Sequence, residues 1–226
     1  MNTTSMQVES PAGRINGVQK TIIAILAFIV MVLGLFMHRL LQEEVLTPEQ
    51  FKQRGVFLFE KPRKVKNFSL LNHQGNTFTK AELQGKWHLL FFGFTHCPDV
   101  CPTTLATLNH MIKGVEDQGI KDSTGVILVS VDPARDSVAK LSEYMPYFNP
   151  EFNGLTGDFL QVLALASNLN APFRKVLTGE EYTVDHSAYI FLINEYGDYQ
   201  GFIKPPFDAD TLRQNYQEVR RYFAAQ

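Results

Sequence analysis

From Thr21 to Met37 the chain reads TIIAILAFIVMVLGLFM, 17 residues without a charge. That length reaches the lower limit for crossing a bilayer core. Lys20 and Arg39 flank the run, and their long stems extend its effective span toward both headgroup layers. A helix buried in a soluble core would show a polar stripe, and this one has none. The His38-Arg39-Leu40 that follows offers no small-x-small cleavage site. Residues 21–41 are therefore expected to form an uncleaved transmembrane anchor. A loose polar tail, 1–20, precedes it. A tether, 42–64, follows, with Pro48 and Pro62 as breakers and one short helix near Pro48–Arg54. Arg14 and Lys20 lie before the span and Arg39, Lys52 and Arg54 after it, so the charge rule is close to neutral. The favoured orientation puts the N-terminus in the cytoplasm and the large domain outside.

From residue 65 to 226 the pattern becomes that of one α/β domain. Phe68–Leu70 and Thr77–Thr79 read as short strands around the turn Asn72–Gly75. Trp87 to Phe94 is a continuous apolar run, as expected of a strand covered on both faces. Between Thr103 and Gln118 apolar residues recur at gaps of three and four, the spacing of an amphipathic helix. A second buried strand spans Val126–Val131, followed by helices over Asp136–Tyr147 and Phe159–Asn168. Ala188–Ile193, a turn at Glu195–Asp198 and Tyr199–Ile203 make a strand pair, and Asp208–Ala225 a closing helix. This order implies a mixed sheet with helices on both faces, and it matches the thioredoxin-like fold.

Composition removes several function classes. With 21 basic and 23 acidic residues the net charge is −2, so there is no basic field to hold nucleic acid. Two cysteines in 226 residues exclude a disulfide-stapled scaffold. Those two, Cys97 and Cys101, stand one helical turn apart in Thr95-His-Cys-Pro-Asp-Val-Cys-Pro102, between a buried strand and the next helix. Soft thiolate pairs suit copper(I) and zinc, and neighbouring thiols can also close into a disulfide. Pro102 belongs in a first helical turn, which puts Cys101 at or near the N-cap. Both thiols are expected to ionise near neutral pH at the positive end of the helix dipole. Three intervening residues, where a thioredoxin-like dithiol has two, widen the bite toward holding an ion.

A trigonal copper(I) site needs a third donor, and the histidines are the candidates. His38 borders the membrane, His73 lies in a turn, His88 in a buried strand, and His110 too far along its helix. His96 adjoins Cys97, and adjacent residues rarely converge on one ion. His186, just before the strand from Ala188, occupies the junction that faces the dithiol in thioredoxin-like folds and usually carries a proline there. Asp185 either orients that imidazole or serves a surface turn. Asp132-Pro133 and Arg135-Asp136 make either a loop with Asp136 as a helix N-cap or a support beside the metal, and Asp99 adjusts local charge or meets a partner.

Cys97-Pro-Asp-Val-Cys-Pro102, Asp132-Pro-Ala-Arg-Asp136, Gly154-Leu-Thr-Gly157 and Val184-Asp-His-Ser187 together resemble the Sco/SenC family, over about Val65 to Phe223. The resemblance implies that Cys97, Cys101 and His186 are copper ligands, for Cu(I) and Cu(II). It implies a copper chaperone that helps assemble the dinuclear copper (CuA) site of cytochrome c oxidase. The implied partners are the CuA-bearing subunit II, or a similar oxidase subunit, and other copper chaperones. The tail lacks an Arg-rich transit peptide, so the expected location is a bacterial inner membrane, single-pass, with the C-terminal domain periplasmic. A thiol–disulfide oxidoreductase acting on the client's copper-site cysteines is the alternative, with Cys97 and Cys101 as the redox pair. A peroxidase of the peroxiredoxin type is disfavoured, because the cysteine loop carries no arginine.

Overall fold

A computed structural model of the chain describes residues 17–41 and 46–225. Most of the expected tail, 1–16, and the start of the expected tether, 42–45, lie outside the described residues. The chain divides into two compact units, one ending at Glu44 and one beginning at Val45. The first holds helix α1 (Gly17–Leu41). Its stretch Gly17–Met37 is long and apolar enough to cross a membrane, with mean hydropathy 2.5.

The second unit is built on an eight-stranded mixed sheet. Its strands are β1 (Val56–Lys64), β2 (Ser69–Asn72), β3 (Thr77–Thr79), β4 (Trp87–Gly93), β5 (Thr124–Ser130), β6 (Asn153–Thr156), β9 (Ile190–Ile193) and β10 (Asp198–Ile203). A separate two-stranded sheet pairs β7 (Phe173–Thr178) with β8 (Glu181–His186). The large sheet runs β1-β10-β9-β4-β5-β6-β2-β3. β4, β5 and β6 are parallel neighbours, and β9 lies antiparallel against β4. The helices are α2 (Pro48–Gln53), α3 (Val100–Lys113), α4 (Gln118–Asp122), α5 (Val138–Phe148), α6 (Phe159–Asn168) and α7 (Ala209–Ala224).

β4 shows why its sequence is apolar throughout. Successive side chains point to opposite faces. Leu89 and Phe91 join Leu105, Leu108, Met111, Leu212 and Tyr216 under α3 and α7. Leu90, Phe92 and Phe94 join Val162, Leu165, Val184 and Phe191 on the other side. A strand buried on both faces has no polar position to alternate with.

Several elements differ from the sequence reading. Part of the segment expected to be a tether is β1, an edge strand paired with β10. Its exposed outer half, Glu60–Lys64, hides it, and Pro62 sits in its irregular stretch, where an edge strand tolerates a missing donor. β6 is only four residues long. A Cβ on its Gly154 would come within 2.6 Å of Met145 Cγ, so glycine there lets α5 lie directly on the strand. α3 ends at Lys113 with Gly114 as its C-cap, and the Asp117 carboxylate caps a separate helix, α4, by accepting from Ile120 N–H at 3.0 Å. α5 is capped by Ser137, not Asp136.

His88 is the polar anomaly of the core. Its ring is 6 % exposed and lies over Gly125, where a Cβ would come within 2.5 Å of Nδ1. Neither ring nitrogen makes a well-formed hydrogen bond, although the Leu83 carbonyl lies near. Burial, with some repulsion from Lys86, lowers its pKa from 6.5 to about 4. The folded state therefore binds this proton less readily than the unfolded chain. The stabilisation is full above pH 6.5 and is lost as pH falls from there toward 4. His88→Phe is expected to remove up to about 3 kcal/mol of the stability difference between pH 7 and pH 4. Urea denaturation of both proteins at the two pH values measures it, and parallel losses would contradict the assignment.

Candidate metal centre

The cysteines occupy the loop from the end of β4 to the start of α3. Gly93, the last residue of β4, has a structural reason: a Cβ there would lie 2.7 Å from Cys101 Sγ. The sulfur thus fills the space a side chain would take. The next N–H, Phe94, donates to Cys101 Sγ at 3.4 Å. Cys101 N–H in turn donates to Cys97 Sγ at 3.5 Å. The N-cap residue of α3 is Asp99, whose side chain makes no capping bond; its Oδ1 accepts from Thr103 Oγ1 at 3.4 Å. The Cys97 sulfur therefore takes one of the free N–H groups of the first turn.

The loop is pinned by a carboxylate. Asp136 is fully buried and accepts from Thr95 N–H at 2.9 Å, Thr95 Oγ1 at 2.6 Å and Ser130 Oγ at 2.7 Å. Its own carbonyl accepts from Thr156 Oγ1 at 2.7 Å. One side chain thereby joins the start of the cysteine loop to the end of β5, and its backbone ties in β6. The reading of Asp136 as a helix cap is corrected here: a buried acceptor in this position has three donors to satisfy it.

His186 ends β8 and reaches the cysteines from the opposite side. Its Nε2 is 3.5 Å from Cys101 Sγ. Its Nδ1 lies 3.1 Å from the Ser187 carbonyl. A carbonyl can only accept, so that bond puts the proton on Nδ1 and leaves the Nε2 lone pair facing the sulfur. The ring stands edge-on to Phe94, centroids 5.8 Å apart. The donor atoms of Cys97, Cys101 and His186 all lie within 4.8 Å of one another. Asp185 does not orient the imidazole. It is exposed and pairs with Arg174 at 3.2 Å.

Burial sets the electrostatics. Cys101 is fully buried, and desolvation holds its thiol well above the ordinary cysteine range. For Cys101 this corrects the expectation that the helix dipole makes the thiol ionise near neutrality. Burial likewise lowers the His186 pKa, partly opposed by the Ser187 carbonyl, which keeps the ring neutral and able to ligate. The chemistry of the set suits a soft cation: two sulfurs and a neutral imidazole, with the charge of the cation replacing the thiol protons.

The other described histidines do not converge here. His73 is buried and its Nδ1 accepts from Gly154 N–H at 3.3 Å. His110 is exposed in the last turn of α3, and His96 faces Thr95 Oγ1 at 3.1 Å. The side chain of His38 lies outside the described residues. The sequence reading missed Gly93, Thr95 and Phe94 as builders of the site. The glycine interrupting Phe91-Phe92-Gly93-Phe94 was the available signal.

The SCO1/SenC family model matches residues 59–221. A protein of Stutzerimonas stutzeri named a putative copper-binding protein is 35 % identical over 71 % of this chain and 79 % of its own length. Mouse "Protein SCO2 homolog, mitochondrial" is 36 % identical over 70 % of this chain and 62 % of its own length. The crystal structure of Arabidopsis thaliana ScoI with copper bound superposes with TM-score 0.65 at 34 % identity, covering 70 % of this chain and 98 % of that one.

The two thiols differ in access: both are free, Cys97 is partly exposed and Cys101 buried. In the reduced, metal-free chain, iodoacetamide is expected to label Cys97 roughly tenfold faster or more than Cys101, since reaction needs an accessible thiolate. Peptide mapping by mass spectrometry reads the two rates, and equal rates would contradict the burial.

Proposed function

The chain belongs to the SCO1/SenC family, and on that premise we propose that it is a membrane-anchored copper-binding protein that serves assembly of the CuA site of a cytochrome c oxidase. Copper is its cargo, held by Cys97, Cys101 and His186. The observation that carries this reading is the approach of two sulfurs and an imidazole nitrogen to within 4.8 Å, although His186 is 85 residues from Cys101 along the chain. Two thiolates favour copper(I), and the imidazole adds the donor that copper(II) binds well. Cys97 is partly exposed and Cys101 buried, so an incoming donor from a client protein reaches Cys97 before Cys101. The client is the CuA-bearing subunit II or a similar oxidase subunit, and the metal comes from another copper chaperone. In this reading α1 is a single-pass anchor in a bacterial inner membrane, with the N-terminus cytoplasmic and the C-terminal domain periplasmic.

The second reading, reduction of a client disulfide, has an observation of its own: one partly exposed and one buried thiol. Cys97 thiolate would attack the client disulfide and release one client thiolate. Cys101, losing its proton, would then attack the mixed disulfide. The products are the Cys97–Cys101 disulfide and a reduced client, and two electrons have passed to the client. The raised pKa of Cys101 works against that second step, because no cation compensates its charge. The same burial suits a thiolate neutralised by copper.

The test uses the full chain in detergent. It is expected to bind about one copper(I) per chain, and Cys97→Ser or Cys101→Ser to abolish that binding. His186→Ala is expected to retain copper(I) but to lose about tenfold or more in copper(II) affinity, read from its charge-transfer absorption. An unchanged copper(II) spectrum in His186→Ala would remove His186 from the centre. In cells, equal loss of oxidase activity in His186→Ala and Cys97→Ser supports copper delivery. Loss in the cysteine variant alone supports disulfide reduction.

A further inference from the structure

The imidazole arrives on an arm. β7 and β8 form a two-stranded sheet of their own, with register Phe173↔His186 through Thr178↔Glu181 and no ladder to the eight-stranded sheet. The position of His186 therefore depends on how the side chains of this hairpin dock.

One polar cluster joins the hairpin to the loop that follows β5. Tyr182 OH donates to Asp132 Oδ1 at 3.0 Å, and Arg135 Nη1 donates to the Tyr182 carbonyl at 3.1 Å. Arg135 Nε donates to the other Asp132 oxygen. The guanidinium carbon lies 3.7 Å from the centroid of the Tyr182 ring and 5.8 Å from that of Phe94. Phe94 is the same ring that His186 meets edge-on. Asp132 and Arg135 stand in the loop between β5 and α5, outside the arm. Tyr182, Val184 and His186 share one face of β8, by the two-residue period of a strand. Val184 is buried in the core beneath them. A clamp on Tyr182 therefore sets which way His186 points, about 13 Å farther along the strand.

We propose that Asp132, Arg135 and Tyr182 form a latch that positions His186 and so decides whether the copper centre has two ligands or three. The proposal rests on the ligand set argued above. Latched, the imidazole is held against Cys101 before copper arrives, and ordering the arm costs nothing further at binding. Unlatched, the arm carries the imidazole away and leaves copper on two sulfurs, the state from which a client's donor can take it. The latch has a built-in reason to open. Arg135 Nη2 is buried without a hydrogen-bond partner, and it regains water when the arm lifts. Open space lies against the arm as well. A cavity of about 600 Å³ is bordered by Asp132, Pro133, Phe159, Phe173, Tyr182 and Val184.

Tyr182→Phe keeps the ring and the backbone carbonyl and removes only the hydroxyl. Arg135→Lys keeps the charge and removes the planar fork that joins Asp132 to Tyr182. In the metal-free full chain in detergent, both are expected to speed amide hydrogen exchange across 173–186 by about tenfold, with exchange in β4 and β5 unchanged. Copper(II) affinity is expected to fall about 10- to 100-fold, and copper(I) affinity less. The decisive reading is a double variant. Tyr182→Phe added to His186→Ala should cost no further copper(II) affinity, because the latch acts only through the imidazole. A general structural role would add its own loss on top. Unchanged exchange in the arm, wild-type copper(II) affinity in both latch variants, or additive losses would each overturn the proposal. Failure of the ligand assignment looks different: His186→Ala alone would then bind copper(II) as the wild type does.

Discussion

The antiparallel pairing of β4 with β9 is the constraint that makes a site out of distant residues. Its register runs from His88 opposite Ile193 to Leu90 opposite Phe191. The strand that leads into the cysteine loop and the strand that begins after His186 therefore have those two ends on the same side of the sheet's centre. Parallel β5 on the other side of β4 requires a crossover, and α3 with its N-terminal cysteines supplies it. The convergence of Cys97, Cys101 and His186 is then a consequence of strand order, with local details adjusting it by a few ångströms.

Those details are polar contacts set into an apolar interior. Asp136 is the main one: a fully buried carboxylate that three donors satisfy. Removing such donors from a buried charge costs far more than a surface hydrogen bond, so the loop they hold is well determined. Gly93 makes the complementary contribution by leaving room for a sulfur. The result is asymmetric, with Cys101 buried and Cys97 and His186 both partly exposed on either side of it. The arm carrying His186 adds a second degree of freedom, since it docks by side chains and not by a ladder of backbone bonds.

How much of this was legible depended on how each element is buried. β4 and β9 announce themselves as apolar runs because both faces are covered. β1 does not: it is an edge strand, its outer residues face solvent, and Pro62 interrupts it. The β7–β8 arm escaped for the same reason, since Arg174, Lys175, Glu180 and Glu181 are exposed. The cysteine pair was readable from its spacing alone. His186 was readable only through topology, because nothing local distinguishes it from five other histidines. Asp136 stood between a helix cap and a support beside the metal, because a short carboxylate beside a helix start has two uses, and only three-dimensional packing selects between them. The high pKa of Cys101 was likewise invisible: the dipole argument is local, whereas burial is a property of the assembled core.

X-ray absorption at the copper edge of the copper(I)-loaded full chain reads the donor set itself. Ligation by Cys97, Cys101 and His186 gives a first shell of two sulfurs and one nitrogen, with the outer scattering of a single imidazole ring. A shell of sulfur alone, or one filled by oxygen from solvent or carboxylates with no imidazole signal, would contradict it.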